Sequence, residues 1–458
     1  MRNGAHSKGL RWLAVCALWL GVWQAASLFV GSPILLASPA QTLVHLVRIV
    51  ANPGFWPIVW FSLSYVAAGF LGAFVLAVGL AFLAHRYPLV RELLEPPVLA
   101  FKSVPVACIV VLLLIWVGSR RVSGLAVFLV AFPALYLSTL EGLAQVDPKV
   151  DEMLGVFGVR PLVRLLAHTW PQVLPYVVAT SKNVCGMAWK AGVAAELIGT
   201  PAGSMGERIY QSKILLETAD LFAWTVAVVA VSYACEKLFV LLLAKTGPAS
   251  LRAAVALGRR RAPSALSAGA ITCDNVALGY ANEPIVSALG LSLAAGERGI
   301  LSDASGAGKT TLLHTLAGLV PALGGRLVVP QELSMVFQET RLVDALTAEE
   351  NVLLVGTNLA SREEARALLA EVLPADALGK PVSELSGGQR RRVELVRALA
   401  HPSAAVLLDE PFSSLDEASH AQAAAFVLAR LAGRTLLVAS HQAEDAALLD
   451  ARPLSLTA

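Results

Sequence analysis

Two long stretches of this chain carry no formal charge: no Asp, Glu, Lys or Arg occurs between Arg11 and Arg48, nor between Arg48 and Arg86. A water-facing domain needs charged residues over its surface, so segments of this length without them point to a bilayer. The whole chain of 458 residues is 56% hydrophobic and 15% charged, too apolar for an ordinary soluble protein. The charge is uneven, however, and the second half has normal charge density. The expected organisation is therefore multi-domain, an all-α transmembrane part followed by a soluble α/β part. A net charge of +3 argues against nucleic acid as a partner. The five cysteines (Cys16, Cys108, Cys185, Cys235, Cys273) are scattered without a CxxC pair and read as small buried hydrophobes.

A spanning helix needs roughly 20 apolar residues. About six candidates occur, at 12–30, 58–84, 98–117, 122–143, 173–199 and 221–244. The first follows Arg2, Lys8 and Arg11 as a signal peptide would, but its apolar run is too long and Trp-rich, so it reads as an uncleaved span. With the N-terminus inside, Arg86, Arg91, Lys149, Arg160, Arg164, Lys245 and Arg259–Arg261 are also cytoplasmic. Only Arg48, Arg120, Arg121, Arg208 and Lys213 then lie outside. Six spans return the chain to the same side. Within the fifth, Lys190 and Asn183 are seven residues apart and share a helical face. An intramembrane Lys usually faces a cavity or a partner. Either contact with an anionic solute or a structural pairing, for example with Glu196, would account for it.

The second half carries the chemistry. In LSLAAGERGILSDASGAGKTT a strand ending near Leu301 runs into a small-residue loop and a helix beginning at Lys309. Backbone N–H groups of Ser305, Gly306, Ala307 and Gly308 would wrap phosphates, with Lys309 on the β/γ oxygens, Thr310 on Mg2+ and Thr311 beside it. The pattern GxxxxGK[ST] has Gly where this chain has Asp303. Asp tolerates left-handed backbone better than most residues, so the turn is expected to survive. A carboxylate beside the phosphates is expected to weaken nucleotide binding. Farther on come LSGGQ (385–389), AVLLDEP (405–411), SSLD (413–416) and LLVASHQAED, each following or opening an apolar element.

In this order and spacing the motifs resemble those of the ATP-binding-cassette (ABC) superfamily. The resemblance implies ATP and Mg2+ as cofactors and an ATP hydrolase as the activity. It makes Glu410 the residue that polarises water, His441 the γ-phosphate sensor, and Gln338 a switch glutamine that reaches Mg2+ and touches the permease. Thr310, Gln338 and Asp409 would hold the metal, Tyr280 would stack on adenine, and Ser386, Gly387, Gly388 and Gln389 would face a γ-phosphate. The loop between the fourth and fifth spans adds Glu152-Met153-Leu154, Gly158 and Pro171. Their spacing matches EAAxxxGx(9)IxLP of binding-protein-dependent permeases, although Met153, Leu154, His168 and Trp170 depart from it. A helix, a Gly-permitted turn and a second helix would form a knob seated in the ATPase. From about residue 96 to 245 the text resembles permeases of the nitrate/sulfonate/taurine importer group.

The resemblance implies a permease domain at 1–246 with its coupling loop at about 144–171, a flexible linker at 247–270 and the ATPase at 271–458. The short stretch after His441 is expected to leave out a regulatory domain. Because superfamily ATP sites pair the phosphate loop of one cassette with LSGGQ of another, one cassette per chain implies a homodimer. The chain would be a multi-pass protein of the bacterial inner membrane, with its N-terminus and ATPase cytoplasmic and a separate extracytoplasmic solute-binding protein as partner. An exporter, or a membrane-anchored regulatory ATPase that moves nothing, are the alternatives. The EAA-like loop and short spans argue against an exporter.

Overall fold

The computed structural model describes residues 3–258, 267–280, 283–356, 359, 361–442 and 444–456, with side chains from residue 11 onward. Arg2 and Arg259–Arg261 lie outside the described residues. The chain divides into two compact units, Met1–Gln145 with Val173–Thr246, and Val146–Gln172 with Gly247–Ala458. The segment expected to form the coupling loop thus clusters with the second unit, although its sequence neighbours lie in the first.

The helices begin with α1 (Asn3–Val30), α2 (Pro39–Ala51), α3 (Phe55–Arg86), α4 (Pro88–Ser103), α5 (Val106–Val117) and α6 (Val122–Ala144). They continue with α7 (Pro148–Val156), α8 (Pro161–Arg164), α9 (Trp170–Gly199), α10 (Met205–Ile214) and α11 (Thr218–Gly258). By length and composition, four described helices could cross a membrane: Arg11–Val30 within α1, then α3, α6 and α11. The bent pair of α4 and α5 would make a fifth, and the expected count of six differs in two places. The expected span at 98–117 is broken, because α4 and α5 meet at 107°. Pro105 is the cause, since the residue before a proline is driven out of helical backbone, and Val104 has φ −79 and ψ 130. The fifth expected span is a helix of 30 residues, but Lys182, Asn183, Lys190 and Glu196 make it too polar to qualify by composition.

Close helix packing in the first unit depends on small residues. A Cβ added at Gly69 of α3 would lie 2.1 Å from the carbonyl oxygen of Gly124 in α6. On α9, Val177, Val184, Ala188 and Trp189 are buried, while Asn183, Met187 and Lys190 on the opposite side are exposed. Glu196 is fully buried, its Oε2 accepts hydrogen bonds from Ser62 Oγ (2.8 Å) and Gly206 N–H (3.1 Å), and among the described residues no ion pair joins it to Lys190.

The second unit adds β1 (Ile271–Tyr280), β2 (Glu283–Leu293), β3 (Arg298–Leu301), α12 (Lys309–Leu316), β4 (Gly324–Val328) and β5 (Leu333–Val336). Then come α13 (Ala348–Leu354), α14 (Arg362–Ala370), α15 (Gly387–Ala400), β6 (Ala405–Asp409), α16 (Glu417–Leu431), β7 (Thr435–Ala439), α17 (Glu444–Leu448) and β8 (Arg452–Leu454). An antiparallel sheet runs β2-β1-β4, and a parallel sheet runs β5-β6-β7-β3-β8. Every residue of β6 and β7 is buried, as continuous apolar strands are when both faces of a parallel sheet are covered. This sheet order brings the C-terminal ends of β3, β6 and β7 together. The segment 247–258 is not a flexible linker. It continues α11 through Pro248, and Ala254 is fully buried in the second unit's core.

Candidate active site

The loop after β3 has left-handed glycines at Gly306 (φ 85) and Gly308 (φ 100), which lets successive N–H groups turn inward before α12 begins. Ser305 and Gly306 are exposed, and Thr310 and Thr311 lie in the first turn of α12. Lys309 is 6% exposed, and its ammonium bonds the Asp303 carbonyl and, at 3.2 Å, the Ala304 carbonyl. The ring nitrogens of His441 lie 3.3 and 3.4 Å from the same Nζ. Amides, a helix N-terminus and a cation thus converge on one anion-binding concavity.

Asp303 behaves differently from its sequence expectation. It is not among the positive-φ residues, so the missing glycine costs no left-handed strain. Its carboxylate accepts from Ser455 Oγ (2.8 Å) and from Leu456 N–H (3.1 Å), so both oxygens are engaged by the segment after β8.

At the end of β6, Asp409 is 1% exposed. Burial pushes its carboxyl up to about 6, against the lowering effect of the Thr310 hydroxyl. Its Oδ2 is buried without a hydrogen-bond partner among the described residues. A buried carboxylate oxygen left unpaired beside a threonine hydroxyl suits a hard divalent cation with water and phosphate oxygens completing its shell. Glu410 has left-handed backbone (φ 48), held by its N–H on the Ala439 carbonyl (2.9 Å) and by Ser413 Oγ on its own carbonyl (2.9 Å). Its Oε1 is 3.4 Å from His441 Nε2. Lys309, Asp409, Glu410 and His441 therefore form one cluster, with a carboxylate at the edge where a water could be polarised.

Gln338 follows β5, the neighbour of β6, and its side chain is exposed. Tyr280 is half exposed at the β1–β2 hairpin end. Ile285 and Val286, which the motifs did not single out, lie beside the phosphate loop: a Cβ at Gly308 would be 3.4 and 3.2 Å from their methyl groups. Ser386 caps α15, accepting from Gln389 N–H (3.3 Å) while Gln389 Oε1 accepts from Ser386 N–H (3.0 Å). No hydrogen bond or ion pair among the described residues joins Ser386, Gly387, Gly388 or Gln389 to Lys309 or Glu410.

Behind that cap, α15 carries a charged network that motif reading missed. Arg391, Glu394 and Arg397 recur every three residues and are 4%, 0% and 0% exposed. Glu394 lies 3.1 Å from Arg391 and 3.6 Å from Arg397, and accepts the Arg341 N–H at 2.6 Å. Burial pushes the Glu394 carboxyl up, opposed by both guanidinium groups, and lowers Arg397 to about 10, still charged at neutral pH. Arg391 also holds the main-chain carbonyls of Phe337 and Gln338.

The network ends on the knob. Arg397 lies over the Phe157 ring at 5.2 Å, and His401 meets that ring edge-on at 5.0 Å. Arg341 Nη1 pairs with Glu152 Oε2 at 2.8 Å, and Lys149 pairs with Glu339. Met153 and Leu154, the departures from alanine, are 1% and 0% exposed in the shared core. Gly158 has φ 61, making the turn before α8. His168 explains another departure: its Nε2 contacts the Asp147 carbonyl (2.8 Å), and Gln172 bonds both the His168 ring (2.9 Å) and the Asp147 N–H (3.1 Å). Burial holds His168 below its ordinary value, so a neutral ring closes the knob's base.

A family model described as ABC transporter matches residues 286–413, and one described as binding-protein-dependent transport system inner membrane component matches residues 73–245. An aliphatic sulfonates import ATP-binding protein of Pseudomonas fluorescens is 38% identical over 189 residues, 41% of this chain and 73% of the relative. One from Rhodococcus jostii is 38% identical over 210 residues, 45% of this chain and 76% of the relative. A solved dimeric bacterial ABC transporter cassette is 26% identical with a TM-score of 0.36, covering 41% of this chain and 94% of that one.

Proposed function

We propose a function from one premise: this chain belongs to the ABC transporter family, with a membrane permease domain and an ATP-hydrolysing cassette in one polypeptide. The proposed function is ATP-driven import of a small anionic solute of the aliphatic sulfonate class, delivered by a separate extracytoplasmic binding protein. The relatives' names support the solute class and the direction. The exposed Lys190 on α9, unpaired among the described residues, supports an anion path, because an ammonium without a carboxylate partner is open to an anionic solute. The observation that carries the reading is the knob Val146–Gln172 gripped by the cassette through Glu152–Arg341 and Phe157–Arg397.

In the proposed cycle the phosphate loop and Lys309 hold ATP. Thr310, Asp409 and Gln338 would hold Mg2+, which supplies charge neutralisation on the phosphate oxygens. Glu410 accepts the proton of the attacking water, and His441 orients the γ-phosphate. The lack of any bond from Ser386–Gln389 to Lys309 among the described residues supports a homodimer in which each signature loop serves the other copy's nucleotide. Closure would pull on Gln338 and Arg391, and α15 would pass that movement to Phe157 and Glu152. The permease is assigned to 1–246, the connection to 247–270 and the cassette to 271–458, in a bacterial inner membrane with N-terminus and cassette cytoplasmic.

Uptake of a labelled short-chain aliphatic sulfonate by cells producing this chain tests the reading against cells carrying Glu410→Gln instead. Loss of uptake in the variant is expected. Equal uptake by both would reject ATP-driven sulfonate import.

A further inference from the structure

We propose that Asp303 is a positioning residue whose carboxylate ties the segment 452–456 to the phosphate loop and thereby holds that loop in its anion-binding shape. Three observations meet at this residue. Both carboxylate oxygens are occupied, one by the Ser455 hydroxyl and one by the Leu456 N–H. Its main-chain carbonyl receives the Lys309 ammonium, so the residue linked to segment 452–456 also sets where the lysine rests. The segment itself is anchored: β8 pairs in parallel with β3, Leu301 opposite Leu454, and β3 leads directly into the loop. Leu456 is 4% exposed and reaches the neighbourhood of Gly308, 4.0 Å from where a Cβ would stand.

A glycine at position 303 could form the turn but has no side chain to hold Leu456. The expectation of phosphate repulsion therefore inverts. A carboxylate with one donor on each oxygen is oriented by those donors, which compensate part of its charge. With the link cut, edge strand β8 loses its tie to the loop, and the loop must be ordered by the nucleotide alone. Affinity should fall while chemistry at saturation is kept.

The proposal rests on ATP binding at this loop, so a wild-type chain that fails to bind ATP would sink that reading first and separately. The test is ATP titration at fixed Mg2+, with steady-state hydrolysis, on the full chain in nanodiscs. Asp303→Gly should raise Kd and KM about threefold or more, the size of one net hydrogen bond, with kcat held within about twofold. Asp303→Asn keeps an acceptor for Leu456 N–H and should stay near wild type. Ser455→Ala should cost less, and adding it to Asp303→Gly should cost nothing further, because the link is already cut. Unchanged or tighter binding by Asp303→Gly would overturn the proposal, as would full additivity of the two losses. A fall in kcat with KM unchanged would likewise make the contact merely structural.

Discussion

Glu410 occupies left-handed backbone that costs a non-glycine residue about 1–2 kcal/mol, and two hydrogen bonds from β7 and the following turn keep it there. Strain held at the end of a buried strand, next to His441, is what a residue fixed for proton transfer would require. Glu410→Gln should therefore abolish turnover while leaving ATP bound. Steady-state hydrolysis checks it: general-base catalysis is worth about 10²–10⁴-fold, and more than about a tenth of the wild-type rate would remove Glu410 from that role. The nucleotide cluster was legible in the sequence because its residue types are dictated by phosphate and metal chemistry at short, ordered spacings. Asp303 was not legible in this way, for the opposite reason. Its partners, Ser455 and Leu456, lie some 150 residues away, and no local pattern announces them.

Among the elements, the knob and α15 are the proposed mechanical part. Gly158 at φ 61 turns the chain between α7 and α8, and a β-branched side chain there would strain the turn. Gly158→Val should leave ATP hydrolysis running while sulfonate uptake falls. The check is both activities measured on one reconstituted preparation, where full uptake would mean that the loop only connects. Glu394→Ala should leave Arg391 and Arg397 buried without their counter-ion and lower stability by about 3–5 kcal/mol. Thermal unfolding of the full chain checks that value, and a change within about 0.5 kcal/mol would show the charges are satisfied elsewhere. The arginine–glutamate ladder was not read from the sequence, since only the fold reveals that it is buried. Pro105 was readable as a helix breaker, yet hydropathy smoothed over it, and the expected single span became two helices.

At the scale of the whole molecule, the parallel sheet gathers Lys309, Asp409, Glu410 and His441, yet among the described residues Ser386–Gln389 makes no bond to them. The two-part organisation was plain from charge density alone. The assignment of Val146–Gln172 to the second unit was legible only through the knob motif, because contiguity in sequence suggests the first. Completion of each proposed ATP site by a second copy is the central claim, and native mass spectrometry of the full-length Glu410→Gln chain with ATP and Mg2+ tests it most directly. Two chains retaining two nucleotides is the predicted species, collapsing to nucleotide-free protein when Ser386→Arg is added. Stable ATP retention by a single chain, or retention by the pair despite Ser386→Arg, would contradict a shared site.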